Sequence, residues 1–370
     1  MIANAQPVRE LGSKSPGGLM LPDAKPAPHY MYAPRGAAFL PEGGLAVCDT
    51  GNHRILIWHR LPDEDHAPAD VVLGQPSFTH EGPQAAGAGP ENGLHLPCGI
   101  AVLEGRLYVC DAWNHRVLIW NAVPTESGAP PDAVLGQPSL GASTKNRGGS
   151  VGPSGLDCPY GLAAVDGDLY VCDTQNRRVL VWDGIPTEDR PADWLMGQDD
   201  FTRSEENRAS GPGPHTYRWP HAIATAGGRL FVADAGNHRI LGWSKGRDRQ
   251  GPADILLGQE SFDTAWEMPH VAQGPGRLRF PYGLVSSEGR LITADTANNR
   301  ILTFTHPVVS HGAEAEAVLG QHSFDTAGEN RWDVIAPDTL CWPYGLALEG
   351  DCLAVCDSGN NRVVLWRLQR

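Results

Sequence analysis

Six prolines open six short apolar segments, and the residue after each could do chemistry: Arg35, Cys98, Tyr160, His221, Tyr282 and Tyr344. A thiolate with an imidazole suits zinc or another divalent metal that accepts soft ligands. The same pair beside a phenol is also equipped for nucleophilic or acid–base catalysis, once the groups come within hydrogen-bond reach. The residues just before these prolines extend the set. One position earlier stand Cys158, Trp219, Phe280 and Trp342, and two earlier His95, Arg218, Arg279 and Cys341. The candidate catalytic residues are therefore Cys98, His221, Tyr160, Tyr282 and Tyr344. The candidate metal ligands are Cys98, His221, Cys158 and Cys341, holding one divalent metal such as zinc. Arg35, Arg218 and Arg279 could bind a carboxylate or phosphate, with His95, Trp219 and Trp342 beside them. No Gly-rich phosphate loop, paired-carboxylate signature or Cys-x-x-Cys zinc motif is present.

The elements that must position these residues follow from a repeat. Asp-x-x-Asn-x-Arg begins at Asp49, Asp111, Asp173, Asp234, Asp295 and Asp357, a spacing of 61 or 62 residues. Each copy runs into an apolar stretch ending on Trp58, Trp120, Trp182, Trp243, Phe304 or Trp366. Around it, each unit reads as four short strands: a Pro-x-Gly opening strand, an alternating strand into the Asp, the strand after the Arg, and one ending in Leu-Gly-Gln. Four strands per unit without helical periodicity predict a propeller blade, and six units predict one closed domain over residues 1–370. Only five units carry the outer-strand Gly (Gly74, Gly136, Gly197, Gly258, Gly320), and the chain ends after the third strand of the sixth. One period before Gly74 lies Gly12. Residues 8–12 are thus expected to supply the missing outer strand of blade six, closing the ring and removing an exposed edge.

Sixfold-identical residues predict structure, whereas a site for one ligand should break the symmetry. The repeated Asp, Asn and Arg are accordingly expected to hold turns and pin blades, and His53, His115 and His238 to fill loops where Arg177, Asn299 and Asn361 stand in other units. The terminal aromatics are expected to pack between blades. The asymmetric residues sit at the mouth of the central channel, where the long connections over 76–96, 138–158, 199–219, 260–280 and 322–342 also emerge. That loop-rich face is the place for a ligand. The structural alternative is that Tyr and Arg plug the channel.

Bulk properties narrow the partners. A net charge of −14 argues against nucleic acid and anionic membranes. No apolar run is long enough to span a bilayer, and residues 1–20 lack a secretory pattern. Of eight cysteines, Cys48, Cys110, Cys172 and Cys356 share one slot that is Ala233 or Ala294 elsewhere. Such a slot is small and buried, which predicts unpaired thiols and a reducing, cytoplasmic setting.

Asn52-His53-Arg54, Asn114-His115-Arg116 and Asn237-His238-Arg239, each shortly after an Asp, resemble the NHL repeat, and with the Pro-x-Gly openings the resemblance spans essentially the whole chain. It implies an all-β, six-bladed propeller. NHL propellers include protein- and RNA-binding modules and enzymes such as the zinc-dependent peptidyl-amidoglycolate lyase, which holds zinc through three His at Pro-His openings. Here only Pro220-His221 matches that pattern. Two functions stay open: a binding scaffold whose loop-rich face takes a protein or a small anionic ligand, or a metal-assisted lyase or hydrolase at the same mouth.

Overall fold

Local turn chemistry and strand alternation agree in every repeat, and blade 2 shows how. Its strands are Pro97–Leu103, Arg106–Asp111, Arg116–Trp120 and Ala133–Leu135, paired antiparallel in that order. Glu104 and Gly105 both take positive φ, the conformation that a two-residue hairpin with right-handed twist requires. Asp111 faces Arg116 across the next hairpin, which a single 3-10 turn and a left-handed His115 close. The computed structural model describes residues 5–246, 248–287, 289–305 and 311–369, and shows six such four-stranded sheets.

The sixth sheet joins Pro343–Glu349, Cys352–Asp357 and Arg362–Leu368 to the N-terminal strand Ala5–Gly12. The expected closure is present, through a strand longer than residues 8–12. It runs antiparallel from Ala5 opposite Leu368 to Gly12 opposite Arg362. A loop of blade 1 holds it in place: Asp65 accepts the Glu10 N–H and the Arg9 guanidinium, and His66 Nδ1 meets the Gly12 carbonyl at 2.8 Å.

The core lies between blades. Ile55 and Ile57 of blade 1 share one apolar cluster with Leu107, Val109 and Trp120 of blade 2. Trp58, Trp120, Trp182 and Trp243 also donate their indole N–H groups to backbone carbonyls, so the predicted packing residues fix a connection as well. Cys48, Cys110, Cys172 and Cys356 are wholly buried and unpaired. Among the described residues no helix is long and apolar enough to cross a membrane.

The repeated Asp, Asn and Arg form one buried device per blade, as expected of them. In blade 3, Asp173 Oδ2 accepts from Asn176 Nδ2 and Arg178 Nε, both at 2.8 Å. Its Oδ1 accepts the backbone N–H of Asp157, two residues before the leading proline. Arg178 then donates to the carbonyls of Phe201, Gly152 and Gly155 in the long connections. One carboxylate thus anchors the turn, and its Arg anchors the loops of the same face.

Candidate functional site

A backbone irregularity aims five of the six asymmetric residues at the axis. The ladder slips after Pro97, Pro159, Pro220, Pro281 and Pro343, so the following residue bulges out of register. A bulge re-aims a side chain, here into the channel. The Gly of Pro-x-Gly allows the inner strands to converge there: a Cβ on Gly161 would lie 2.0 Å from the His221 carbonyl oxygen.

The six side chains line the channel as a ring. Arg35 lies over Tyr344 at 4.6 Å, Tyr344 stacks on Tyr282 at 4.6 Å, and Tyr282 meets His221 at 4.3 Å. His221 meets Tyr160 at 4.7 Å. Cys98 completes the circuit beside Arg35, its thiol donating to the Leu96 carbonyl. Cys98 and His221 therefore flank Tyr160 and do not meet each other. Burial pushes the Cys98 thiol up to about 11, against the pull of Arg35, so it is protonated and weakly nucleophilic at neutral pH. Burial, with the Arg35 charge adding to it, takes His221 down to about 4, while its Nδ1 faces the Trp219 carbonyl at 3.1 Å. This stacked ring, with Arg35 as its one cation, has the form of a plug.

A pH dependence follows. His221 takes a proton more readily unfolded, near 6.5, than folded, near 4. The stability that it contributes is fully present above pH 6.5 and is lost as pH falls toward 4. With allowance for the solvent in the channel, a His221→Gln variant should lose about 2 kcal/mol less than wild type between pH 7 and pH 4. Denaturation at the two pH values measures this; parallel losses would show that His221 protonates freely in the fold.

The arginines flanking the prolines are already neutralised. Arg218 pairs with Glu206 at 3.2 Å and lies over Trp219, and Arg279 pairs with Glu267 at 2.6 Å. His95 sits in a chain of rings between His53 and Trp113. Trp342 donates its indole N–H to Glu329.

The residue expected to fill the loop has a defined task. At five of the six seams between blades, the left-handed residue after the repeated Asn presents an acceptor to the residue before the next leading proline. His53, His115 and His238 receive the N–H of Leu96, Cys158 and Phe280 on Nδ1; Asn299 and Asn361 receive that of Trp342 and Ala33 on Oδ1. Those five acceptor-matched residues take positive φ. Arg177 cannot accept, and Trp219 turns instead to Asp234, without positive φ.

The candidate metal set is not gathered in one place. Cys98 and His221 belong to the ring, and the Cys341 thiol lies against Gly359 at the sixth blade. Among the described residues, the His/Cys/Asp/Glu group that converges is His115, Asp157 and Cys158. Only Cys158 was expected to ligate. The signal for the others was readable: of the six leading prolines, only Pro159 follows an Asp-Cys pair, and that pair lies across the seam from a His.

Exposed hydrophobic groups are strongly asymmetric. Of the large ones standing exposed among the described residues, Val8 alone lies outside the loops of one face. Leu19, Met20, Leu21 and Tyr32 occupy the connection into blade 1. Trp266, Met268, Trp332 and Trp342 occupy the next connections round the ring, and Trp113 sits on an Asp-x-x-Asn-x-Arg loop. The Ile335 N–H donates to the Gly18 carbonyl, joining two of these loops.

Residues 31–58, 94–120 and 217–243 match the NHL repeat. No curated protein sequence matches the chain. Among solved structures, a protein of unknown function from Bacteroides thetaiotaomicron superposes with a TM-score of 0.57 at 13% identity, over 99% of this chain and 76% of that one. A virginiamycin B lyase from Staphylococcus aureus gives 0.46 at 11% identity, over 95% and 98%. At these identities the likeness concerns the fold alone.

Proposed function

We propose that this six-bladed propeller of NHL repeats is a binding scaffold whose loop-rich face docks a protein partner. The observation that carries this reading is the one-sided distribution of exposed hydrophobic residues, densest from Trp266 through Trp342 to Leu21. Water-exposed Trp and Tyr clustered on one face are costly to leave bare and are the residues that dominate protein interfaces. The small-anion form of the reading has less support, because Arg218 and Arg279 already hold carboxylates and Arg35 is stacked within the ring. The unpaired thiols support a reducing, cytoplasmic setting.

Panning a random peptide library against the protein tests this directly. Selected peptides should lose affinity by about 30-fold when Trp266 and Trp332 are both changed to Ala, the equivalent of about 2 kcal/mol at a hot spot. Both side chains are at least half exposed, so folding should change by less than about 0.5 kcal/mol for each. Peptides that bind both proteins equally would place recognition elsewhere. A second reading, metal-assisted chemistry at the same face, draws on the His115–Asp157–Cys158 seam.

A further inference from the structure

We propose that the seam between blades 2 and 3 binds one zinc-like divalent cation through His115 Nδ1, the Asp157 carboxylate and Cys158 Sγ. This goes beyond the docking face and does not depend on it. The three donor atoms lie within 4.8 Å of one another, with His115 Nδ1 3.1 Å from Asp157 Oδ1 and 3.8 Å from Cys158 Sγ. Zinc bonded to N, O and S at ordinary lengths sets tetrahedral neighbours about 3.4 Å apart for N and O and about 3.6 Å for N and S. The donors already stand within a few tenths of an ångström of those edges.

The bonding around Nδ1 points the same way. Nδ1 lies 3.1 Å from the Cys158 nitrogen and 3.1 Å from Asp157 Oδ1. A single ring nitrogen cannot accept from the amide and donate to the carboxylate at once, so one of the two contacts goes unsatisfied. A cation fits between such groups. Loading would exchange the amide hydrogen bond for a metal–nitrogen bond. The other His seams act as internal controls: His53 meets the amide of Leu96, and His238 that of Phe280, neither of which offers a metal-binding side chain. His115 and Asp157 keep 18% and 14% of their side-chain surface, so a cation can enter and a water can hold the fourth position. Three protein ligands with an open fourth position are the pattern of a reactive zinc site rather than a closed structural one.

The fold itself supplies variants that should leave the blades intact. Asn already fills the His115 position at Asn299 and Asn361, and Ala33 occupies the Cys158 position with the same backbone. Chelator-stripped full-length protein is titrated with Zn2+ by calorimetry and with Co2+ by absorption. Wild type should take one equivalent and show a thiolate-to-cobalt charge-transfer band. His115→Asn and Cys158→Ala should each weaken Zn2+ binding by at least about 100-fold, the upper end of what an outer-shell change costs, and Cys158→Ala should abolish the band. His53→Asn should behave as wild type. No uptake by wild type, no band, or an affinity unmoved by the two variants would overturn the assignment.

Discussion

A chain beginning at Ser13, without the strand Ala5–Gly12, is expected to lose at least about 4 kcal/mol of stability and to associate. Three losses combine. Leu11 is wholly buried between blade 6 and blade 1, and removing a buried Leu side chain alone costs about 2–5 kcal/mol. Glu10 supplies the carboxylate that meets the Arg362 guanidinium at 3.0 Å, so a buried cation loses one of its two acidic partners. The strand Arg362–Leu368 would then present its whole hydrogen-bonding edge to solvent, a template for another chain. Melting and size-exclusion chromatography of the truncated protein measure both effects. Leu11→Ala separates packing from closure, since it should lower stability while the protein stays monomeric. A truncated monomer that melts like the full chain would show that the ring does not need this strand.

Asp295→Ala is expected to cost about 3–5 kcal/mol while leaving the loop-rich face competent to bind. Asp295 accepts three hydrogen bonds: the Arg279 N–H on Oδ1, and Asn298 Nδ2 and Arg300 Nε on Oδ2. Its loss leaves the Arg300 guanidinium, wholly buried, without a counter-charge. The carbonyls of Gly274 and Arg277 that Arg300 holds would loosen with it. Urea unfolding quantifies the change, and peptides selected on wild type report whether the face survives. A change below about 1 kcal/mol, or lost affinity at full stability, would turn the repeated Asp from an anchor into a contact.

The sequence alone determined the architecture. A strict period records it redundantly: the spacing from Asp49 to Asp357, the aromatic ends and the displaced Gly12 all repeat one local rule, so six copies confirm each other. The structural role of the Asp, Asn and Arg was legible for the same reason. What only the tertiary structure decided is which asymmetric residues meet. Cys98 and His221 carry suitable chemistry, but a ring of six residues separates every second member, and Tyr160 stands between them. Arg218 and Arg279 were read as free charge until their partners from the long loops, Glu206 and Glu267, came into contact. His115 was read as filler because its period hid it. Its neighbours Asp157 and Cys158 lie over forty residues away, across a seam that exists only once two blades pack side by side. Periodicity specifies what each blade does for itself; distances between blades arise only from closing the ring.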